Sequence, residues 1–385
     1  MVNFSKLTFA MSVLLKYLFK TNIKFDNNHS TIHVLFALVD HYEPGTGAVT
    51  KEVEKSRVEE LLEKYPKLAD KHLDSDGRKP RRTWFFPPHY HRFGNLNRLV
   101  TLCSEGYGEI ELHLHHGKHK PDTAKNLEDT IRKTISEYSE FGIFGEENGE
   151  KKYAFIHGDW ALDNSRNGKF CGVNNEIDVL RNTGCFADFT HPSIVESNPK
   201  QINSIYYAVG RPGQSKSYAR GKQVRAGVHG EGLMIIQGPL HPLFIRNNIF
   251  SLRIMGDGIY GDPRTTSQRI DKWVDTSIHV AGKRNFIFVK THTHGATDAE
   301  HVLGSEIEYI LEYLENKYSD NRQFRLHYVT AREMYNIIKA IEFEAHIADP
   351  FDYINYRVTA PNYREAGDRQ EASPELKSLL AKSYR

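Results

Sequence analysis

Three cysteines in 385 residues are too few and too odd in number for a disulfide framework. Cys103, Cys171 and Cys185 form no Cys-x-x-Cys pair, so a staple-dependent secreted fold is not indicated and a cytoplasmic setting is the simpler expectation. Net charge of one sign is also lacking: 51 basic against 49 acidic residues leave +2, which gives no global argument for a nucleic-acid partner. There is no internal repeat and no Gly-rich phosphate loop. Gly210-Arg-Pro-Gly213 has no strand–turn–helix context and is not read as one. No apolar run is long enough to cross a bilayer. The stretch Leu7–Phe19 is interrupted by Lys16, and Lys20-Thr21-Asn22 makes a poor cleavage site, which disfavours a secretory signal. Two readings of residues 1–30 stand beside each other: a basic amphipathic helix in peripheral contact with a membrane surface, or a helix packed on the body of the protein. An unusual, uncleaved signal is a third.

What the chain does have is enough apolar residue (39%) to build a core, and alternation. Ile32–Val39 is a continuous apolar run, as in a strand buried on both faces. Thr83–Phe86, Glu109–His115, Tyr153–Ile156, Ile202–Val209, Leu233–Ile236, Asn285–Lys290 and Phe324–Val329 read as further strands. Between them lie helical stripes: Val58, Leu61, Leu62, Tyr65 and Leu68; Leu96, Leu99, Val100 and Cys103; Leu127, Ile131, Ile135 and Tyr138 behind a cap at Asp122; a short helix at Ile177 and Leu180; Ile270, Trp273, Val274 and Ile278; and one long helix over 301–318. Thr330-Ala-Arg-Glu333 is a capping box opening a helix through Ile341. Residues 210–230 read as a long loop or hairpin insertion, and the segment from Asp349 as a peripheral tail. Strands alternating with helices predict a parallel sheet or barrel.

The chain also carries 20 histidines, many in tight groups. In parallel α/β folds functional groups collect beyond the C-terminal ends of strands. Strand ends here deliver Asp40-His41-Tyr-Glu43, His89 and His91, His113-Leu-His115-His116, His157-Gly-Asp159-Trp160, Asp188-Phe-Thr-His191 and His292-Thr-His294. Alternate residues of a strand share a face, so His113 and His115 can address one ion. Imidazole suits zinc, and Asp40 or its rival His41 is the natural third ligand. Such a site needs a base and an acid as well. Asp40 or Glu43 could take a proton, and His292 or His294 could give one. The loop His157 to Asn164 places Trp160 beside Asp159 and Asn164, a way to hold a sugar ring by stacking and hydrogen bonds. His89 and Asp188 complete the expected substrate contacts. The cluster Arg211, Lys216, Arg220, Lys222 and Arg225 is a solvated face or a hold for an anionic group.

In the order of these motifs the chain resembles the polysaccharide-deacetylase superfamily, distorted (β/α) barrels that remove N-acetyl groups from amino sugars. The resemblance covers roughly residues 31–345 as an order of elements and is close in detail at strand one and the His-x-His segment. It implies that Asp40 is the base, with His41 standing where the family has a ligand Asp. Glu109-Ile-Glu-Leu-His113-Leu-His115 looks like the family's metal-binding strand, and Phe288-Val-Lys-Thr-His292 like the strand that carries its acid. The family's Arg-Pro motif is replaced by His157-Gly158-Asp159-Trp160. Val39–Pro44 and His157–Asn164 look like segments of uncharacterised deacetylase-like proteins from bacterial surface-polysaccharide loci.

The expectation is therefore a (β/α)7-type barrel over residues 31–348, between an N-terminal helix (1–30) and a tail (349–385). It would use a divalent metal, zinc first, to remove an N-acyl group from a saccharide. The rivals are a glycoside hydrolase using two of Glu43, Asp159 and Asp188, and a non-catalytic glycan-binding or assembly protein.

Overall fold

A computed structural model of the chain describes residues 31–364, apart from 48, 93, 194–195, 248, 262–263, 295–296, 298, 345–346 and 348, together with residues 9, 11–15 and 17. The first strands are β1 (Ile32–His41), β2 (Arg82–Phe86), β3 (Gly108–Leu114), the short pair β4 (Glu146–Glu147) and β5 (Glu150–Lys151), β6 (Tyr153–His157) and β7 (Cys185–Asp188). They are followed by β8 (Ile205–Ala208), β9 (Lys222–Gln223), β10 (Leu233–Ile236), the hairpin β11 (His241–Asn247) and β12 (Ile249–Met255), β13 (Phe286–Thr293) and β14 (Phe324–Tyr328). The helices are α1 (Lys51–Ala69), α2 (Asn95–Ser104), α3 (Ala124–Ser139), α4 (Glu176–Asn182), α5 (Ser267–Asp275), α6 (Ala299–Val302), α7 (Ser305–Tyr318) and α8 (Ala331–Glu342).

The fold is mixed α/β around one large, mostly parallel sheet of order β13-β1-β2-β3-β6-β7-β10-β8-β9, with β14 also on β1. The purely parallel sheet expected from the alternation is broken at one end, where β8 runs antiparallel to both β10 and β9. Residues 278–281 bond to both sides: Phe288 N donates to Ile278 O (2.8 Å), Ala281 N to Val224 O (2.9 Å) and Ala226 N to Ala281 O (3.0 Å). This is a barrel-like course.

Every residue of β1 is buried, because both faces of the sheet are covered. Val34, Phe36 and Leu38 face outward with Trp84, Phe86, Ile110 and Leu112, against Val58, Leu61, Leu99, Leu127 and Ile131 of the helices. Leu35, Ala37 and Val39 face inward with Phe85, Ala154, Ile156, Met234, Ile236 and Phe288. Each fully buried side chain of this kind contributes roughly 1.5–3 kcal/mol. A one-residue slip would exchange the two sets, so the register is strongly specified.

The helix α8 is buried along its length and adds Met334, Ile337, Ile338 and Ile341 to the inward cluster. Its Thr330–Glu333 capping box is present as the sequence predicts. Other expectations shift. The helix over 301–318 is two helices parted at Gly304. The cap of α3 is Thr123, which accepts from Asn126 N, while Asp122 binds Thr123 N and Asn126 Nδ2 beside it. The hairpin β11–β12 was not expected, since Pro242 in an apolar run without alternation argues against a strand. The segment 349–364 is packed rather than peripheral: Arg332 Nη1 donates to Ile354 O and Val358 O, Val358 is fully buried, and Tyr363 OH accepts from Ile110 N. Residues 365–385 lie outside the described residues. All three cysteines are buried and free.

Near the N-terminus, residues 9, 11–15 and 17 are helical; Val13 and Tyr17 are buried, and Lys272 Nζ sits 5.0 Å from the Tyr17 ring centroid. Among the described residues no helix is long and apolar enough to cross a membrane.

At the N-terminal edge of the sheet, His33 is stacked on Phe286 and its Nδ1 lies 2.9 Å from His327 Nε2; His327 Nδ1 in turn meets Asp76 Oδ2 at 2.7 Å. Burial, then the neighbouring His327, push His33 down to about 4. The neutral form is therefore the native one. Its contribution to stability is present above the unfolded value near 6.5 and is lost as pH falls through 6.5 toward 4. His33→Gln should make the fall in unfolding free energy across that window shallower by about one proton, ~1.4 kcal/mol per pH unit. Urea titrations at a series of pH values measure this, and an unchanged slope would refute it.

Candidate active site

The two-residue repeat of the strands sorts the expected site residues by face. On β1, His41 follows Val39 to the inside, and Asp40 follows Leu38 to the outside. Asp40 is fully buried there, accepting a hydrogen bond from Thr293 Oγ1 and paired with Arg82 Nη1 at 3.5 Å. The base expected at Asp40 thus lies behind the sheet, on the opposite face from His41. The same repeat turns His113 and His115 inward together, as expected of a strand, and carries His292 and His294 inward from the end of β13.

These inward groups converge. One ligand atom from each of His41, His113 and Glu43 lies within 4.8 Å of the others. His113 Nδ1 donates to Ile156 O at 2.9 Å, which leaves Nε2 with its lone pair directed into the cluster, buried and without a hydrogen-bond partner. His113 Nε2 is 3.6 Å from Glu43 Oε1. The His41 ring centroid lies 5.0 Å from that of His113 and 4.7 Å from that of His294. Burial, then the facing His294 and His113, hold His41 well below its ordinary range, so it is neutral. Two imidazoles and a carboxylate are a donor set that suits zinc.

His115, the other ligand expected on this strand, is held between two carboxylates. Its Nε2 meets Glu43 Oε1 at 2.5 Å and its Nδ1 meets Asp159 Oδ2 at 3.0 Å, so both nitrogens are engaged by carboxylates. Burial opposes the charge, but the bonds to Asp159 and Glu43 outweigh it and raise His115 to about 9. Glu43 is driven up by burial and pulled further down by His113 and His115, which keeps it ionised. His294 behaves oppositely: burial and the adjacent His292 lower it to about 4.

Above this cluster opens a cavity of about 750 Å³, whose lining includes His41, Glu43, His89, His115, Asp159, Trp160 and His294. The loop residues Asp159 and Trp160 therefore stand where the sequence places substrate contacts, and so does His89. Trp160 leaves its indole Nε1–H without a partner. The other expected contacts do not reach the cavity. His157 follows Phe155 to the outer face, 3.5 Å from Glu176. Asn164 is spent on Asn174 and Gly168 within its own loop. Asp188 is buried and accepts from Thr190 N and Oγ1. Arg211, Arg220 and Lys222 border a separate depression of about 490 Å³.

The structure adds groups that the sequence did not single out. Behind His292, Asp257 Oδ1 is 3.0 Å from Nδ1, and Asp257 Oδ2 is 2.5 Å from Lys290 Nζ. Tyr260 OH caps His292 Nε2. Burial pushes Asp257 up, but Lys290 and His292 overcome it and hold the carboxyl at about 2. The signal available was an Asp between two glycines, Gly256-Asp257-Gly258, which sequence spacing does not link to β13.

No family model and no curated protein matches the chain. Among solved structures, a 4-α-glucanotransferase from Thermococcus litoralis is similar with a TM-score of 0.37 and 11% identity, over 80% of this chain and 40% of that one. This chain thus spans less than half of that protein's length.

Lys290 and Asp257 are each about 1% exposed, so removing one strands a charge that water cannot reach. Asp257→Ala should cost about 3–5 kcal/mol of unfolding free energy, and Lys290→Met added to it should restore a large part. Denaturant titration of the two single variants and the double variant measures the coupling; additive losses would show that the pair does not interact.

Proposed function

We propose that the protein is a metal-dependent hydrolase that removes an N-acyl group, acetyl first, from an amino sugar in a polysaccharide or glycolipid precursor. One observation carries the reading: His41, His113 and Glu43 converge at the cavity floor, with His113 Nε2 buried and directed at the common centre. The residues fit a divalent ion, zinc first. Bound there, it would supply a Lewis acid and lower the pKa of water toward neutrality. His113 would be oriented by Ile156 O, and Glu43 by His115, the backing that metal ligands commonly have.

The remaining roles follow from charge. A cavity in which one titratable group is pushed up and another down separates acid from base. His115, raised to about 9, is an imidazolium at neutral pH; both its N–H groups are held by Glu43 and Asp159, so it keeps Glu43 ionised and fixed at the cavity floor. His294, lowered to about 4, is neutral and can accept the proton of the attacking water, then return it to the leaving amine. The role of base that the family resemblance gives to Asp40 passes in this reading to His294. Asp257 and Tyr260 fix His292 beside them. Trp160 lines the cavity and offers a ring face suited to stacking on a pyranose.

A glycoside hydrolase needs one carboxylic acid that stays protonated near neutrality. The cavity carboxyls are both held low, Glu43 by His113 and His115 and Asp159 by His115, and Asp188, which burial raises to about 7, is not among the cavity-lining residues. That favours acyl transfer over glycosidic cleavage.

Acetate release from an N-acetylhexosamine oligomer tests the reading. His113→Ala should lose about one equivalent of metal and the activity with it; a fully active, metal-free variant would sink the proposal. His115→Phe, which frees Glu43, should lower metal affinity or activity by about 10–100-fold. Asp159 raises His115, so Asp159→Asn should move the alkaline limb of the kcat/KM profile to lower pH and leave the acid limb in place. An unmoved alkaline limb would remove His115 from its role.

A further inference from the structure

On the outer face, at the other side of the same strand ends, a second group of donors meets. One ligand atom from each of His116, His157, Cys171 and Glu176 lies within 4.8 Å of the others. None of the roles proposed above uses them. Each is backed by a partner that leaves its inward atom pointing at the shared centre. His116 Nδ1 is 3.0 Å from Asp122 Oδ2, so its Nε2 faces inward, 3.0 Å from Glu176 Oε1. His157 Nδ1 donates to Gly158 O at 2.6 Å, and its Nε2, fully buried and without a hydrogen-bond partner, points to Glu176 Oε1 at 3.5 Å. Cys171 Sγ accepts from Asn164 N (3.3 Å) and Val173 N (3.4 Å) and donates its proton to Glu176 Oε2 at 3.3 Å, a proton that an incoming ion would displace. Glu176 Oε2 also accepts from Asp163 N at 2.6 Å.

Bonds of 2.0–2.3 Å around a tetrahedral zinc set neighbouring ligand atoms about 3.3–3.8 Å apart. The distances to Glu176 are within a few tenths of that range. Sulfur, two imidazoles and a carboxylate make a closed four-ligand set, the mark of a structural rather than a catalytic ion. The backing of His116 by Asp122 is the carboxylate–histidine arrangement common behind zinc.

We infer that His116, His157, Cys171 and Glu176 bind a second divalent metal ion, of the zinc class, that ties down the loop carrying Asp159 and Trp160. The loop has reason to need it. Asp159, Trp160, Asp163, Asn164, Asn167 and Phe170 all have positive φ, between 50° and 63°. Such backbone costs about 1–3 kcal/mol per residue where the side chain is unsuited, and it persists only where the surroundings over-determine it. The ligands bracket this run, His157 before it and Cys171 and Glu176 after it. His116 joins it to the end of β3, where Gly117, with φ 66°, lies so close to the Cys171 backbone that no Cβ would fit.

Zinc X-ray absorption on the intact protein tests this separately from the cavity. Wild type should show a sulfur shell near 2.3 Å. His113→Ala should keep that shell and about one equivalent of zinc. Cys171→Ser should lose the sulfur shell. Zinc-bearing wild type with no sulfur scatterer, or His113→Ala that binds no zinc, would overturn the inference. Both of those readings are made without disturbing the second cluster, so they stand even if Cys171→Ser fails to fold.

Discussion

The structure depends on one constraint: the side chains of a strand alternate between two faces, and here both faces are buried. Burial of apolar residues on each side fixes the register of β1 and its neighbours to the residue, since a slip would invert every side chain. The polar residues at the strand ends inherit that register. His41, His113, His115, His292 and His294 are carried inward together, while Asp40, His157 and Asp188 go outward. Neighbours in sequence thus end on opposite sides of the sheet, and the chemistry of each is decided by which hydrophobic cluster its strand extends.

This explains how much was legible in the sequence. The alternation of strands and helices, the helical stripes and the Thr330 capping box are local patterns, and each reappears. The pair His113 and His115 was correctly placed on one face, because period two is a local property. The assignment of Asp40 to the cavity did not follow the same logic. His41 and Asp40 are adjacent, so they could not both point to the ion, and the inward run Leu35-x-Ala37-x-Val39 continues to His41. Asp40 stands at the strand end in sequence, but the continuous apolar run of β1 offers no contrast between faces that would assign it to one of them. Glu43 lies beyond the strand, where the repeat no longer applies, and only the folded loop reveals it as the carboxylate at the centre.

The groups that went unread share a different cause. Asp257 and Tyr260 come from a connection after the β11–β12 hairpin and reach His292 across the inner face. Cys171, from a loop, and Glu176, at the start of α4, lie more than fifty residues from His116. Such pairings are properties of the closed chain and leave no periodic trace. What could be seen was composition: a glycine on either side of Asp257, and a histidine count too high for solvated surface alone. The face of the sheet then divides that count between two clusters.

The two clusters are not independent parts. His115 belongs to the first and His116 to the second, and the peptide between them is the point at which β3 leaves the sheet. His157 belongs to the second, and Asp159, two residues on, binds His115 in the first. A rotation of the 158–170 loop about the outer cluster would therefore move the Asp159 carboxylate relative to His115, and through His115 the hold on Glu43. The positive charge of His115 depends on both carboxylates being within hydrogen-bond reach. Rigid placement of an outer cluster is thus a condition for the electrostatics of the inner one. It accounts for a loop rich in left-handed backbone beside a cavity whose floor tolerates little displacement, where errors of about 1 Å are costly to catalysis.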